Sequence, residues 1–449
     1  MSEPHVKVGI LSAEKVSFTL TGIYSTQVED VVTGAQEVTI SESGLALEWK
    51  GSTYTSLEFT PTSHLGDSFE IEGVTIGVNF HWERRENQRF RGALLLKPID
   101  GKVTVINEVG IEEYLVSVIS SEMSSTSSLP LLRAHAVISR SWVLAQIENR
   151  GNRTQSRSAS DSAGSSSSPV TPAAARVITR YWDHEDHRDF DVCADDHCQR
   201  YQGISRVSTS VAASAVADTR GEVLTYGGKL CDARFSKCCG GVFEKFENCW
   251  ENKPHPYLVP RRDGVDELDY PDLTREEEAQ RWIMDSPQAF CNTTNARILS
   301  QVLNNYDRET ADFYRWSVNI DREKIKSLVK SRLEVDLGYI VDLEPLKRGT
   351  SGRIYQLRIK GTEGEIVIGK ELMIRRTLSD SHLYSSAFTV ERHDIDAEGI
   401  PASFTLHGAG WGHGVGLCQI GAAIMGDKGY RYNEILAHYY PGSTLTKLY

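Results

Sequence analysis

The sequence predicts an α+β fold: a β-rich N-terminal region, a mixed core with two helices around one acid, and an inserted α+β lobe. Three observations carry this. Residues 6–109 run as short stretches of alternating apolar and polar side chains, with Gly, Asp and Ser between them. Residues 109–146 change to a helical period. Beyond residue 271, helical and strand-like patterns mix before a glycine-dense C-terminal stretch. The chain accordingly divides into a β-rich region, 1–108, a core, 109–270 with 391–449, and an inserted lobe, 271–390.

At 449 residues the chain can bury a large core. Hydrophobic content of 40% and charged content of 24% suit a globular protein. The net charge of −12 argues against a nucleic-acid partner and says little about a neutral polymer such as a glycan. No apolar stretch reaches the length of a membrane span. The N-terminus, MSEPHVKVGIL, lacks the basic and then apolar regions of a secretory leader. That suits a cytosolic protein or a mature form whose leader was removed. Of the eight cysteines, all but Cys291 and Cys418 fall between Cys193 and Cys249, a clustering that points to metal or disulfide chemistry.

The strand signals, among them VKVGIL, VSFTLTGIY, FEIEGVTIGVNF and GALLLKPIDGKVTVINEV, contain no evident chemistry. The helix that follows is read from Ile111, Leu115, Val118 and Ile119. Pro130 opens a second, carrying Leu131, Leu132, Ala134, Val137, Ile138, Trp142, Val143 and Ala145. Glu122 stands in the turn between two apolar faces, where lost water favours a protonated carboxyl and suits a general acid. A capping or solvated glutamate is the alternative. Glu112 and Glu113 read as surface or capping residues of the first helix.

Segment 150–176 is Ser-rich and too poor in apolar side chains to order itself, so it reads as a flexible insertion or lid. It either admits substrate or is a solvated loop. Next, His184, His187, Cys193, His197 and Cys198 fall close together in WDHEDHRDFDVCADDHCQRYQG. Imidazole and thiolate at such spacings suit tetrahedral zinc, and four ligands from one segment would make it structural. The set is His187, Cys193, His197 and Cys198, with His184 as the substitute. A Cys193–Cys198 disulfide and plain surface histidines compete with it.

Residues 208–217 read as a short helix, and 220–229 as a hairpin with a Gly-Gly turn. Cys231, Cys238, Cys239 and Cys249 follow, with His255 the nearest histidine. They allow a second metal site or a disulfide such as Cys239–Cys249, and sequence does not decide connectivity. Residues 272–333 read as helical, with Asp321 as an N-cap, and 338–390 as strands, including the hairpin IYQLRIKGTEGEIVIG. Finally, FTLHGAGWGHGVGLCQIGAAIMG packs glycines around Trp411, His413 and Gln419 before a helix. That fits neither phosphate-loop pattern and suggests backbone packed closely around a polar site. His413 is either a core histidine or part of that site.

Five stretches in order, EEYLVSVISSEM, AHAVISR, DVCADDHCQRYQG, KCCGG and WGHGVGLCQIGA, resemble the stage II sporulation protein D / LytB (SpoIID/LytB) family. The resemblance spans nearly the whole chain. It implies a peptidoglycan lytic transglycosylase, a lyase that cleaves the MurNAc-β-1,4-GlcNAc bond and leaves 1,6-anhydroMurNAc ends. One carboxyl acts as acid and then base, so the second carboxylate of an ordinary glycosidase is not required. By position that residue is Glu122. Such a step needs an acid whose pKa is raised towards the working pH. The resemblance also implies zinc at Cys193, His197 and Cys198 with His187 upstream, and substrate-binding positions at Arg140, Tyr201, His413 and Gln419 lining the cleft.

The partners implied are peptidoglycan glycan strands and a cell-wall amidase or other envelope protein, with no nucleic acid. The location implied is the bacterial cell envelope, periplasmic or extracytoplasmic, with the leader absent from this chain. Relatives carrying this motif set need not be tied to sporulation. A non-catalytic glycan-binding enhancer of an amidase is the competing reading. A zinc hydrolase is disfavoured, because a closed thiolate-rich site leaves substrate little room. The sequence departs from the family pattern at His135, where Gln is commoner, at Cys418, where Ser is, and at KCCGG. Cys239 and Cys418 on facing walls would allow a thiol pair or a disulfide.

Overall fold

The computed structural model describes residues 2–76, 84–124, 126–157, 176–179, 187–195, 197–205, 210–266, 269–302 and 312–449. It is an α+β protein whose contacts fall into two compact units. The first comprises Met1–Ser156, His184–Asp232 and Leu445–Tyr449, and the second Arg157–Asp183 and Ala233–Thr444.

In the first unit, alternating side chains build an 11-stranded sheet. Its middle is antiparallel, with His5–Ala13 beside Lys102–Gly110 and that strand beside Ala93–Ile99. Val6, Val8, Leu94, Leu96, Val103 and Val105 point into the core and are essentially inaccessible. Strand Lys102–Gly110 runs straight into helix α1, Ile111–Glu122. The cap residue is Gly110, which has no side chain to cap with. Glu3 substitutes from a distance: its Oε1 accepts from the Glu112 N–H at 3.1 Å, while Pro4 O accepts from Ile111 N–H at 3.0 Å. Ile111, Tyr114, Leu115, Val118 and Ile119 form the buried stripe of α1. Met123 then turns extended and ends the helix.

Helix α2, Leu129–Arg157, buries Leu131, Leu132, Ala134, Val137, Ile138 and Val143. Its last residues occupy the start of the segment expected to be a flexible insertion, because the helical run continues through Arg157. The remainder, 158–175, lies outside the described residues. The hairpin at Glu222–Tyr226 and Lys229–Leu230 forms as read, with Gly227 and Gly228 at φ of 56° and 76°. Strand Thr444–Lys447 pairs with Glu222–Tyr226.

The second unit holds a four-stranded sheet, Arg176–Thr179, Gly364–Gly369, Ile354–Gly361 and Ile340–Arg348, and a three-stranded sheet, Arg315–Asp321, Ser403–Ala409 and Phe388–His393. Trp316, Ile325, Leu343, Ile354, Ile368, Phe388, Phe404 and Leu406 share one core. That shared core is why residues 391–409 and 271–390 lie in one unit, a partition different from the division drawn on sequence. The expected helices appear at Glu276–Asp285, Ala296–Val302 and Arg322–Leu333, the last capped by Asp321, which accepts from Lys324 N–H at 2.8 Å. Strand Arg315–Asp321 interrupts the stretch read as helical. Its period-2 pattern, RWSVNID, finds a partner only in residues some ninety positions later, Ser403–Ala409.

Gly203 is one of the tightest points of the first unit. Its φ is +59°, and a Cβ there would stand 2.2 Å from Arg89 O. We expect Gly203→Ala to destabilise the protein by about 2 kcal/mol or more through left-handed strain and the clash. Thermal unfolding checks this; an unchanged midpoint would refute it.

Candidate functional site

The Cys/His loop is fastened to the first strand. Val192 and Cys193 pair in parallel with Val8 and Gly9. Asp191 N–H donates to Lys7 O and Ala194 N–H to Gly9 O, both at 2.9 Å. Asp191 Oδ2 accepts from Lys7 N–H at 2.8 Å, and Oδ1 from Arg150 at 2.6 Å. A Cβ on Gly9 would meet the Phe190 ring at 2.5 Å, and that ring packs on His187 with centroids 4.8 Å apart. A glycine is therefore what lets Phe190 tuck in and support the histidine.

Four ligand atoms converge here, those of His187, Cys193, His197 and Cys198, all within 4.8 Å of one another. Cys198 Sγ lies 3.4 Å from His187 Nε2 and 3.6 Å from His197 Nδ1, and Cys193 Sγ lies 4.0 Å from His197 Nδ1. Tetrahedral zinc with ordinary bond lengths sets S···N edges of about 3.5 Å. The side chains fit a single ion in size and in donor type. Cys193 is drawn well below the usual thiol range, chiefly by its hydrogen bond with Cys198 and then by His187 and His197, against desolvation. The alternative ligand His184 lies outside the described residues.

The same loop grips α1. Tyr114 hydroxyl donates to Gln199 Oε1 at 3.2 Å, Gln202 N–H to Ser117 Oγ at 3.1 Å, and Arg200 N–H to Glu122 Oε1 at 3.3 Å. Glu122 is the last residue of α1 and is half-buried. Its carboxylate is therefore positioned by backbone two residues beyond Cys198.

Arg140 and Tyr201, expected to line a cleft, are instead interior residues. Arg140 is wholly buried and forms a bidentate pair with Glu112, Nε–Oε1 at 2.9 Å and Nη2–Oε2 at 2.7 Å, and it donates to Glu222 O at 2.9 Å. Glu112 is correspondingly buried and is neither a surface nor a capping residue. It also accepts from Gly221 N–H at 3.2 Å and Tyr449 hydroxyl at 2.5 Å. Glu113 takes Arg91 at 3.1 Å. Tyr201 stacks on Tyr114 with centroids 5.2 Å apart and donates to Asn107 Oδ1 at 2.6 Å. Burial pushes its phenol above the usual range. A cavity of about 70 Å³ beside it, lined by Gly9, Cys193, Arg200 and others, falls far short of the several hundred Å³ of a ligand pocket.

In the second unit, Cys238 exchanges backbone hydrogen bonds with Trp411, and Phe235–Ser236 pairs in parallel with Leu417–Cys418. The KCCGG and WGHGVGLC stretches thus form one piece of structure. His413 is half-buried against Trp250, and its Nδ1 accepts from Val415 N–H at 3.0 Å, which fixes the proton on Nε2. Burial, and then Arg234 and Arg353, hold it well below the usual histidine range, so it stays neutral. Gln419 is buried at the start of helix Gln419–Asp427. The cysteines are all free. Cys249 donates to His413 O, so it is not beside Cys239 as the suggested disulfide required. Sequence reasoning missed Asn107, Gln199 and Arg200. Only Gln199 and Arg200 carried a signal, their adjacency to the Cys/His loop.

Residues 99–226 match the stage II sporulation protein family, and residues 244–416 match a domain of unknown function, DUF8618. The amidase enhancer of Bacillus subtilis is 27% identical over 52% of this chain, a match that spans 32% of that relative's length. An uncharacterized protein of Brachyspira hyodysenteriae is 26% identical over 79% of this chain and 71% of its own, and stage II sporulation protein D of Bacillus amyloliquefaciens is 22% identical over 76% of each. Over residues 99–226 the chain is similar to the stage II sporulation protein family, and its relatives include an amidase enhancer and stage II sporulation protein D.

The buried pair gives a test of Arg140. Arg140→Leu strands the Glu112 carboxylate, so we expect a loss of about 3–5 kcal/mol in urea unfolding. A stability-neutral variant with weakened glycan binding would put Arg140 at the substrate instead.

Proposed function

We propose that this protein is a peptidoglycan lytic transglycosylase in which Glu122 is the acid and then the base. In the first step the Glu122 carboxyl protonates the glycosidic oxygen as the C1–O bond of MurNAc breaks. In the second, the C6 hydroxyl oxygen of the same sugar closes on C1 and gives its proton to the Glu122 carboxylate. The acid is regenerated and a 1,6-anhydroMurNAc end is left. No water is consumed.

The observation that carries this reading is the bond from Arg200 N–H to Glu122 Oε1. Glu122, the last residue of α1, is oriented by a backbone N–H at the exit of the helix. A carboxyl with one oxygen held in this way has a defined direction, which proton transfer at a glycosidic bond requires. His413, half-buried, remains a proposed glycan-contacting residue; Gln419 is buried like Arg140 and Tyr201, and the latter two are assigned to positioning α1 and the loop. The four Cys/His ligands would hold a structural zinc. Such an ion, held by four protein ligands, would be structural and would offer substrate no position. The setting proposed is extracytoplasmic, on peptidoglycan strands.

One relative's name favours a second reading, an enhancer of a cell-wall amidase that binds glycan without cutting it. Purified protein and Glu122→Gln, incubated with glycan strands bearing or stripped of stem peptides, separate the two. We expect anhydro products, each one water lighter than the hydrolytic product, from the wild type and at least ~100-fold less from the variant. No product from either protein on any strand supports the enhancer reading.

For the metal, His187→Ala should lose one zinc equivalent and much of its thermal stability, since structural zinc contributes on the order of 10 kcal/mol. Unchanged zinc in that variant, by elemental analysis, would remove the loop as a metal site.

A further inference from the structure

A second group of ligating side chains lies in the second unit, remote in sequence from the Cys/His loop. Cys239, Asp263, Cys291 and Cys418 are all buried, and one ligand atom of each lies within 4.8 Å of every other. We propose that these four hold a second structural zinc ion. The site does not depend on the catalytic reading above.

Four separate segments are arranged to make this meeting. The parallel pairing of Ser236 with Cys418 sets Cys239 beside Cys418, and Cys239 N–H donates to Cys418 Sγ at 3.3 Å. Asp263 is brought in by its own N–H, which donates to Gly241 O at 2.9 Å. Asp263 O in turn accepts from Phe290 N–H at 2.6 Å, which delivers Cys291 next to it. The turn that lets the chain pass is built from Gly240 and Gly241, at φ of +82° and +108°. Room for the carboxylate is left by Gly421, where a Cβ would stand 2.5 Å from Asp263 Oδ2.

The distances select one ion. Cys239 Sγ lies 3.5 Å from Cys291 Sγ and 3.4 Å from Asp263 Oδ2. A tetrahedral zinc with ordinary bond lengths sets S···S edges of about 3.8 Å and S···O edges of about 3.5 Å. A polynuclear iron–sulfur core would hold its cysteine sulfurs further apart. Three thiolates and a carboxylate are a donor set for a borderline-soft dication, and a wholly buried set of four makes a closed site. Around the ligands stands an outer shell: Tyr439 hydroxyl donates to Asp263 Oδ1 at 3.0 Å, and His438 Nε2 lies 3.4 Å from it. Ligating carboxylates are held in this way, with one oxygen bonded to the outer shell and the other turned to the ion. Cys238, whose thiol reaches Cys291 and Cys418, is the substitute should Asp263 remain in the outer shell.

The ion would tie together the KCCGG strand, the Asp263 turn, the Cys291 loop and the start of the helix carrying Gln419. No local motif announces it, because its ligands are spread over residues 239–418.

Zinc measured on the intact chain after dialysis tests the proposal. Two equivalents per chain are expected, one for each group, falling to one in Cys291→Ser and to one in His187→Ala. Should Cys291→Ser not fold, the His187→Ala chain stripped of zinc and reloaded with Co²⁺ gives a second readout: strong visible bands of a tetrahedral thiolate site. One zinc in the wild type, an unchanged content in soluble Cys291→Ser, or absence of those cobalt bands overturns the site. So does a Cys239–Cys291 disulfide, read as six rather than eight alkylated cysteines in the unreduced, unfolded chain.

Discussion

The parallel contact of Val192 and Cys193 with Val8 and Gly9 is the constraint on which the first unit's chemistry rests. A two-residue strand has little stability alone, and here it is fixed by Asp191 and by the Phe190 ring seated over Gly9. From that anchor the loop runs past His197 and Cys198 into residues 199–202, which bond to α1 at Tyr114, Ser117 and Glu122. On the proposed reading the Cys/His cluster is a brace for Glu122 rather than a reaction centre. If the proposed zinc is held there, metal occupancy and carboxyl orientation are linked through the six residues between Cys193 and Arg200.

The charges of α1 divide by position. Glu112 and Glu113, in the first turn, lie where the helix dipole favours anions, and each takes an arginine. Glu122 lies at the opposite end, where the helix presents partial negative charge, and its oriented oxygen accepts from a backbone N–H. An ordinary glycosidase needs two carboxylates a set distance apart. A reaction that draws its nucleophile from the sugar's own C6 hydroxyl needs one, and in the proposed mechanism that part falls to Glu122.

Much of this was legible in the sequence because it is local. The stripe of α1, Pro130 in the first turn of α2, the Asp321 cap and the Gly-Gly hairpin depend on neighbours within a few residues. The DVCADDHC ligands were legible for the same reason. What was not legible depends on distant partners. Arg140 looked like a cleft cation until Glu112, 28 residues away, claimed it. Tyr201 was expected to line the cleft, whereas its ring stacks on Tyr114 and its hydroxyl reaches Asn107, 94 residues away. Cys291, alone in a helical stretch, gave no signal of the 52-residue separation that its contact with Cys239 closes.

The central claim, that a single carboxyl suffices because the sugar supplies its own nucleophile, has one direct measurement. Glycan strands cleaved by the protein in heavy-oxygen water should yield product ends with no added label, since no water oxygen enters the anhydro ring. Labelled reducing ends formed in step with cleavage would mean that water is the nucleophile, and would contradict the account.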